Sequence, residues 1–203
     1  MRWNLSYSLA VLSCLTGILL NCHRSLPPDR FMARYLALHR THQIEALLDL
    51  HTADTRFFLP GQTPIVGREA LRALLEWDRE LDSRLWMGGI HQKGDTIVVD
   101  AIVEKNAFFQ ALGVDSVRYR PGTRFVLRGG KIALTAVAPL DEASRNAGLP
   151  AFLVFKSWLA QHFPDTLQHL LPGGRFRYNA QSARLWLKML KRWRKETGQD
   201  RPQ

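Results

Sequence analysis

The sequence predicts an α+β domain: a block of helices, then an antiparallel run of strands, then further helices. Three observations carry this. Apolar residues recur at helical spacing from Asp29 to Asp82, the period drops to two from Arg84 to Leu140, and helical spacing returns afterwards. At 203 residues, 46% hydrophobic and 23% charged, the chain has the composition of a globular protein and needs no disulfide or metal to hold a core. A polytopic membrane protein, a fibrous protein and a disulfide-rich miniprotein are excluded on the same grounds.

The elements follow in order. Asp29–His39 places Phe31, Tyr35 and Leu38 on one helical face, and a second short helix is predicted over His42–Ala53. Thr55–Leu59 reads as a strand stopped by Pro60-Gly61, and Gly67–Asp82 as a third helix with Leu71, Leu74, Leu75 and Asp78 on its stripe. Arg84–Gln92 and Asp95–Phe109 form a hairpin about a turn at Lys93-Gly94, which would set His91 opposite Thr96 and Met87 opposite Asp100. Ser116–Leu127 is a strand kinked at Pro121-Gly122, and Gly129-Gly130 turns it into Lys131–Leu140. The chain is helical again from Leu140 onward, with Phe152, Phe155 and Leu159 at helical spacing over Pro150–Phe163; Pro172-Gly173-Gly174 breaks the chain, and Asn179 caps a last helix running to Lys195.

The first residues have a different character. Both cysteines, Cys14 and Cys22, fall there; Arg2 precedes the apolar run Leu9–Leu20, the pattern of a secretory signal. Leu19-Leu20-Asn21-Cys22 resembles the lipobox of bacterial lipoproteins, with Asn21 where a smaller residue is usual. The resemblance implies acylation of Cys22, export, and a membrane-associated protein of the bacterial cell envelope. An uncleaved anchor and an ordinary buried helix are the alternatives. The expected organisation is a signal peptide (1–21), a tether (22–28), an α+β domain (29–140) and a helical extension (141–203).

The net charge is +10, of which +7 lies in residues 173–203. A basic amphipathic helix meets anionic lipid or simply carries a solvated face. With no helix-turn-helix, zinc-finger or RNA-binding signature, no nucleic-acid partner is expected.

Residues 29–140 resemble the nuclear-transport-factor-2-like superfamily, in particular its SnoaL-like branch. The element order carries the resemblance, together with Leu47-Leu48-Asp49-Leu50, Leu59-Pro60-Gly61, Pro64–Leu71 and Arg124–Ile132. It implies a cone, a curved sheet wrapped around helices with an apolar pocket inside. Some members of that family are isomerases or cyclases and others only bind ligands or dimerise. The ketosteroid-isomerase pattern is matched at Tyr35, a donor on the first helix. Phe58-Leu59 and Gly122-Thr123 stand where its two acids would be, so that chemistry is not expected.

The long strand supplies the remaining candidates. Ile97, Val99, Ala101 and Val103 form one apolar face, expected to pair with a second subunit as a homodimer. Asp100, Ile102, Glu104 and Asn106 would then face the cone, where an apolar environment raises a carboxyl pKa. Glu104 is the candidate acid or base, with Tyr35 and Asp100 as catalytic partners, and Trp77, Asp78, Met87, His91 and Asn106 as ligand-binding residues. Structural roles for Glu104, Asp100 and Trp77 are the competing reading. No metal spacing, phosphate-binding glycine loop or nucleophile elbow is present, so no metal or cofactor is expected. The expected function is binding of a small apolar molecule in the cone. The alternatives are a non-catalytic scaffold and an isomerase- or cyclase-like enzyme using Glu104.

Overall fold

The structure, a computed structural model, describes residues 27–198. The signal segment, Cys22 and the start of the tether lie outside the described residues.

Helix α1 (Pro28–Arg40) starts at a proline, whose fixed φ suits a first helical turn, and buries Phe31, Met32, Tyr35 and His39. Helix α2 (Ile44–Asp49) is shorter than its apolar pattern predicts, because strand β1 (His51–Phe58) already begins at His51. After the short strand β2 (Ile65–Val66) comes α3 (Arg68–Glu80), which buries Leu71, Leu74, Leu75 and Trp77. Strands β3 (Arg84–Lys93) and β4 (Thr96–Lys105) form the long hairpin. The predicted single strand to Phe109 stops early, because the Asn106 side chain caps a short helix, α4 (Ala107–Ala111). Strands β5 (Val117–Tyr119), β6 (Thr123–Arg128) and β7 (Lys131–Ala136) follow, with Pro121-Gly122 separating β5 from β6 rather than kinking one strand.

The main sheet order is β2-β1-β7-β6-β4-β3, with β5 paired to β4. All pairings are antiparallel except β1 with β7, which run parallel, so the curved sheet is mixed. The β1–β7 partnership joins the first strand of the domain to its last. Local periodicity carries no information about such a long-range pair.

One rung of the β3–β4 hairpin decides which side chains enter the cone. Its turn lies at Gly94-Asp95, so His91 pairs with Val98 and Met87 with Ile102. Upstream of that rung, Ile97 and Val99 point inward, fully buried; downstream, Ile102 and Asn106 do. Between them Asp100 and Ala101 are both exposed, opposite Gly88 and Gly89. Gly89 has φ of 63°, and a Cβ placed on it would lie 2.8 Å from the Cβ of Asp100. The glycine lets the backbone kink and the alternation change phase, which strict period-two reading does not anticipate. Ile97 and Val99 therefore belong to the core. The four-residue outer face on which self-association was expected is not formed.

The extension consists of α5 (Glu142–His162), α6 (Pro164–Leu170), a 3-10 turn at Pro172–Gly174 and α7 (Ala180–Thr197). Helix α5 begins at Glu142, close to where helical spacing returns after Leu140, capped by Asp141, whose carboxylate accepts the Ser144 N–H at 2.8 Å, and it runs through Pro150. Asn179 caps α7 as its sequence predicts, in a reciprocal capping box with Ser182. Helix α7 packs on α3 and α4, and α5 packs on α7 and β5. Phe155, Trp158, Trp186, Leu190 and Trp193 are thereby buried against the cone. The basic side of α7 is partly paired: Arg184 reaches Glu80 of α3 at 2.8 Å, and the Arg192 guanidinium lies 4.3 Å from the centre of the Phe163 ring. Among the described residues no helix is long and apolar enough to cross a membrane.

Candidate functional site

A cavity of about 260 Å³ lies between the concave face of the sheet and helices α1, α3 and α4. The helices bring Tyr35 and His39, Leu74, Trp77 and Asp78, and Phe108 and Phe109. The sheet contributes Met87, Ile102, Glu104, Tyr119, Phe125 and Thr135. The extension closes one side with Phe176 and Tyr178, between the 3-10 turn and α7. Trp77 meets Tyr178 edge-on at 5.3 Å and Phe176 at 6.1 Å, while Phe176 and Tyr178 stack at 6.1 Å. Those T-shaped and stacked contacts hold the aromatic wall rigid.

Glu104 is the best-connected polar group in the cavity. Its Oε1 accepts from Ser83 Oγ at 2.9 Å and from Asn106 Nδ2 at 2.6 Å, and its Oε2 accepts from the Tyr119 hydroxyl at 2.5 Å. Asn106 is itself anchored, since its Oδ1 accepts the Phe109 N–H at 2.9 Å as the cap of α4. Burial pushes the Glu104 carboxyl above its ordinary range, and the Asp78 charge adds to the push. The donors from Tyr119, Asn106 and Ser83 pull the other way, because they favour the ionised form. Tyr119 is raised well above the usual phenol range by burial and then by the Glu104 charge, so it stays a neutral donor. A carboxylate has about four lone-pair sites. Three are occupied here, which leaves one on Oε2 for a proton or a ligand.

Asp78 forms the second polar centre. Its Oδ2 lies 3.6 Å from His39 Nε2 across the α1–α3 contact. Tyr35 stacks on His39 at 6.2 Å and meets Phe125 edge-on at 5.7 Å. Burial, and secondarily the Asp78 charge, push both the Tyr35 and the Tyr178 hydroxyls upward, so both remain neutral at physiological pH.

Tyr35, Trp77, Asp78, Met87, Glu104 and Asn106 all line this cavity. His91 and Asp100 do not. They lie on the outer face of the sheet, both more than half exposed, 3.6 Å apart. The phase change at Gly89 puts Asp100 outside, so the catalytic and ligand-binding roles expected of Asp100 and His91 in the cone are corrected. Sequence reading missed Ser83, Tyr119 and His39. It also missed Phe176 and Tyr178, whose alternation with the exposed Arg175 and Arg177 was the available signal. Among the described residues no group of three or more His, Cys, Asp and Glu side chains is placed to hold a metal ion.

The architecture and the polar-centred apolar cavity define a cone-fold protein of the nuclear-transport-factor-2-like class. A SnoaL-like domain model matches residues 32–135, and the chain belongs to that family. The chain is also similar to a protein of ketosteroid isomerase-like fold from Catenulispora acidiphila, solved in complex with trimethylamine. The two share 14% identity over 62% of this chain and 98% of the other, with a TM-score of 0.50. Further structural similarity is found to the epoxide hydrolase/cyclase-like enzyme SalBIII of salinomycin formation: 17% identity, 58% of this chain, 92% of the other, TM-score 0.49. TsrD from Streptomyces laurentii is similar at 19% identity, 61% of this chain, 94% of the other and a TM-score of 0.47. These likenesses concern the fold. No match is found among curated protein sequences.

Proposed function

We propose that this protein binds a small, largely apolar molecule inside its cone. The carrying observation is the cavity of about 260 Å³, open between its walls, with Glu104 and Asn106 converging on it. It lies just below the roughly 300–1,000 Å³ of pockets for drug-sized ligands, which suits a small ligand. In a purely packed scaffold Trp77, Phe108 or the extension would fill the cone. Here they form its walls.

A second reading, proton transfer on the bound molecule as in an isomerase or cyclase, is favoured by one feature. Glu104 combines a raised proton affinity with one lone pair left uncommitted by its three donors. Mass spectrometry of natively purified protein is expected to find a small molecule bound at one equivalent. Met87→Trp, which fills the cavity from β3, is expected to lose it while folding normally. A wild-type protein that carries none, and whose cavity resonances stay unmoved by apolar probes, would favour the scaffold instead.

Export and acylation at Cys22 belong to the same proposal and are supported by the sequence alone. Mature protein is expected to lack residues 1–21 and to carry a lipid-sized mass increase. Cys22→Ala is expected to move the protein from the membrane to the soluble fraction. An intact, unlipidated N-terminus would refute it.

A further inference from the structure

We propose that the molecule taken into the cone is an organic cation with an apolar body, an amine or quaternary ammonium. Its charge lies by Asp78 and Glu104, and its apolar part lies against Trp77, Phe176 and Tyr178. This rests on the ligand-binding reading and goes on to name the ligand's chemical class.

The charge of the wall is the first observation. The chain as a whole has 28 Lys and Arg against 18 Asp and Glu. Yet among the described residues that line the cavity, the Asp and Glu side chains are Asp78 and Glu104, and no Lys or Arg accompanies them. Arg175 and Arg177, which flank Phe176 in sequence, are exposed instead. Inside an apolar cone the Asp78 charge raises the cost of ionising Glu104. An anion would add negative charge to a low-dielectric space beside Asp78. A neutral molecule would leave Glu104 to its three donors and Asp78 to His39, and gain nothing from either charge. A cation is attracted by both.

The shape of the wall is the second observation. Trp77, Phe176 and Tyr178 meet at a corner, with Trp77 edge-on to the other two. Aromatic faces carry the negative end of the ring quadrupole and attract a desolvated cation, Trp most strongly. This corner and the two carboxylates therefore favour the same charge.

The third observation is unmet polar capacity. His39 Nδ1 and Thr135 Oγ1 are buried without a hydrogen-bond partner among the described residues, and both residues line the cavity. Their side chains are at least 97% buried. Buried polar atoms are normally satisfied, so two orphans in one cavity wall point to a polar group on the ligand. A ligand N–H would satisfy Thr135 Oγ1, and His39 Nδ1 in the tautomer that leaves that nitrogen unprotonated.

The test needs no variant to begin. Phenyltrimethylammonium and its uncharged isostere tert-butylbenzene are titrated separately into the wild-type protein, followed by NMR. The cation is expected to bind at least tenfold more tightly and to shift resonances of Trp77, Tyr178 and Glu104. Asp78→Asn is expected to weaken the cation at least tenfold and to change the isostere less than twofold. The cation's affinity is expected to rise as pH rises through the titration of Glu104, and the isostere's is not. The titratable groups facing Glu104 are Asp78 of α3, Tyr119 of β5, and Tyr178, and a cation beside them opposes the upward push of burial and Asp78 on the Glu104 carboxyl. If the isostere binds in the cavity as tightly as the cation, ligand binding stands and the cation assignment is overturned. If neither molecule moves the cavity resonances, both readings fall together.

Discussion

Trp186→Ala is expected to destabilise the protein by about 3–5 kcal/mol, the range for removing a large aromatic from a packed core. Trp186 is fully buried. Its ring lies 5.6 Å from Phe108 of α4, 5.9 Å from Phe155 of α5 and 5.3 Å from Phe176. It is one of the side chains through which the extension grips the cone, beside Phe176 and Tyr178 against Trp77. Its loss leaves a void beside Phe176, so the aromatic wall of the cavity should loosen and ligand affinity fall with stability. The indole N–H has no hydrogen-bond partner among the described residues, so the contribution is one of packing. Trp186→Phe should therefore cost clearly less than Trp186→Ala. Urea unfolding measures both. A loss below about 1 kcal/mol for Trp186→Ala, within the reach of a conservative core swap, would mean that the extension is not part of the core.

Replacing Glu104 is expected to have an effect of similar size, but one that depends on the substituent and on pH. Glu104→Leu leaves the donors of Ser83, Asn106 and Tyr119 without their acceptor, at about 1–3 kcal/mol for each group left unsatisfied. Glu104→Gln keeps an acceptor and should be far milder. The pH dependence follows from the raised folded-state affinity for the proton. A carboxyl raised on folding contributes stability below its unfolded pKa of about 4.3 and loses it as pH rises through the folded value. The melting temperature of the wild type relative to Glu104→Gln should therefore decline across that window as pH rises. Above the window, ligand that neutralises Glu104 should restore it. A flat difference from pH 4 upward would show an unperturbed carboxyl and remove Glu104 from acid–base duty.

Several features were legible in local sequence because the physics that creates them is local. The stripe of Leu71, Leu74 and Leu75, the capping residue Asn179 and the break at Pro172-Gly173-Gly174 each act within a few residues of themselves. The family resemblance was legible as an order of such elements. Glu104, Tyr35, Trp77, Asp78, Met87 and Asn106 could be named because they stand on strongly periodic segments whose inner face is readable. The return of helical spacing after Leu140 was legible too: α5 starts at Glu142 and runs through Pro150, held by the packing of Phe155, Trp158 and Leu159.

By itself the sequence determined the α+β class, the element order, the SnoaL-like membership and the apolar character of the extension. The class, the element order and the extension's character depend on composition and short-range periodicity, and the membership rests on resemblance to the family's motifs. Only the tertiary structure decided which carboxylates share a space. Asp100 and Glu104 are four residues apart on one strand, and parity alone puts them on the same face. The kink at Gly89 sends Asp100 to solvent and keeps Glu104 in the cone, since no side chain there blocks the close approach of β3 to β4. Asp78 joins Glu104 from a helix 26 residues away, and Tyr178 closes the cavity from 74 residues away. Their meeting is set by how α3 and α7 pack across the sheet, and packing between distant segments leaves no periodic trace in either one.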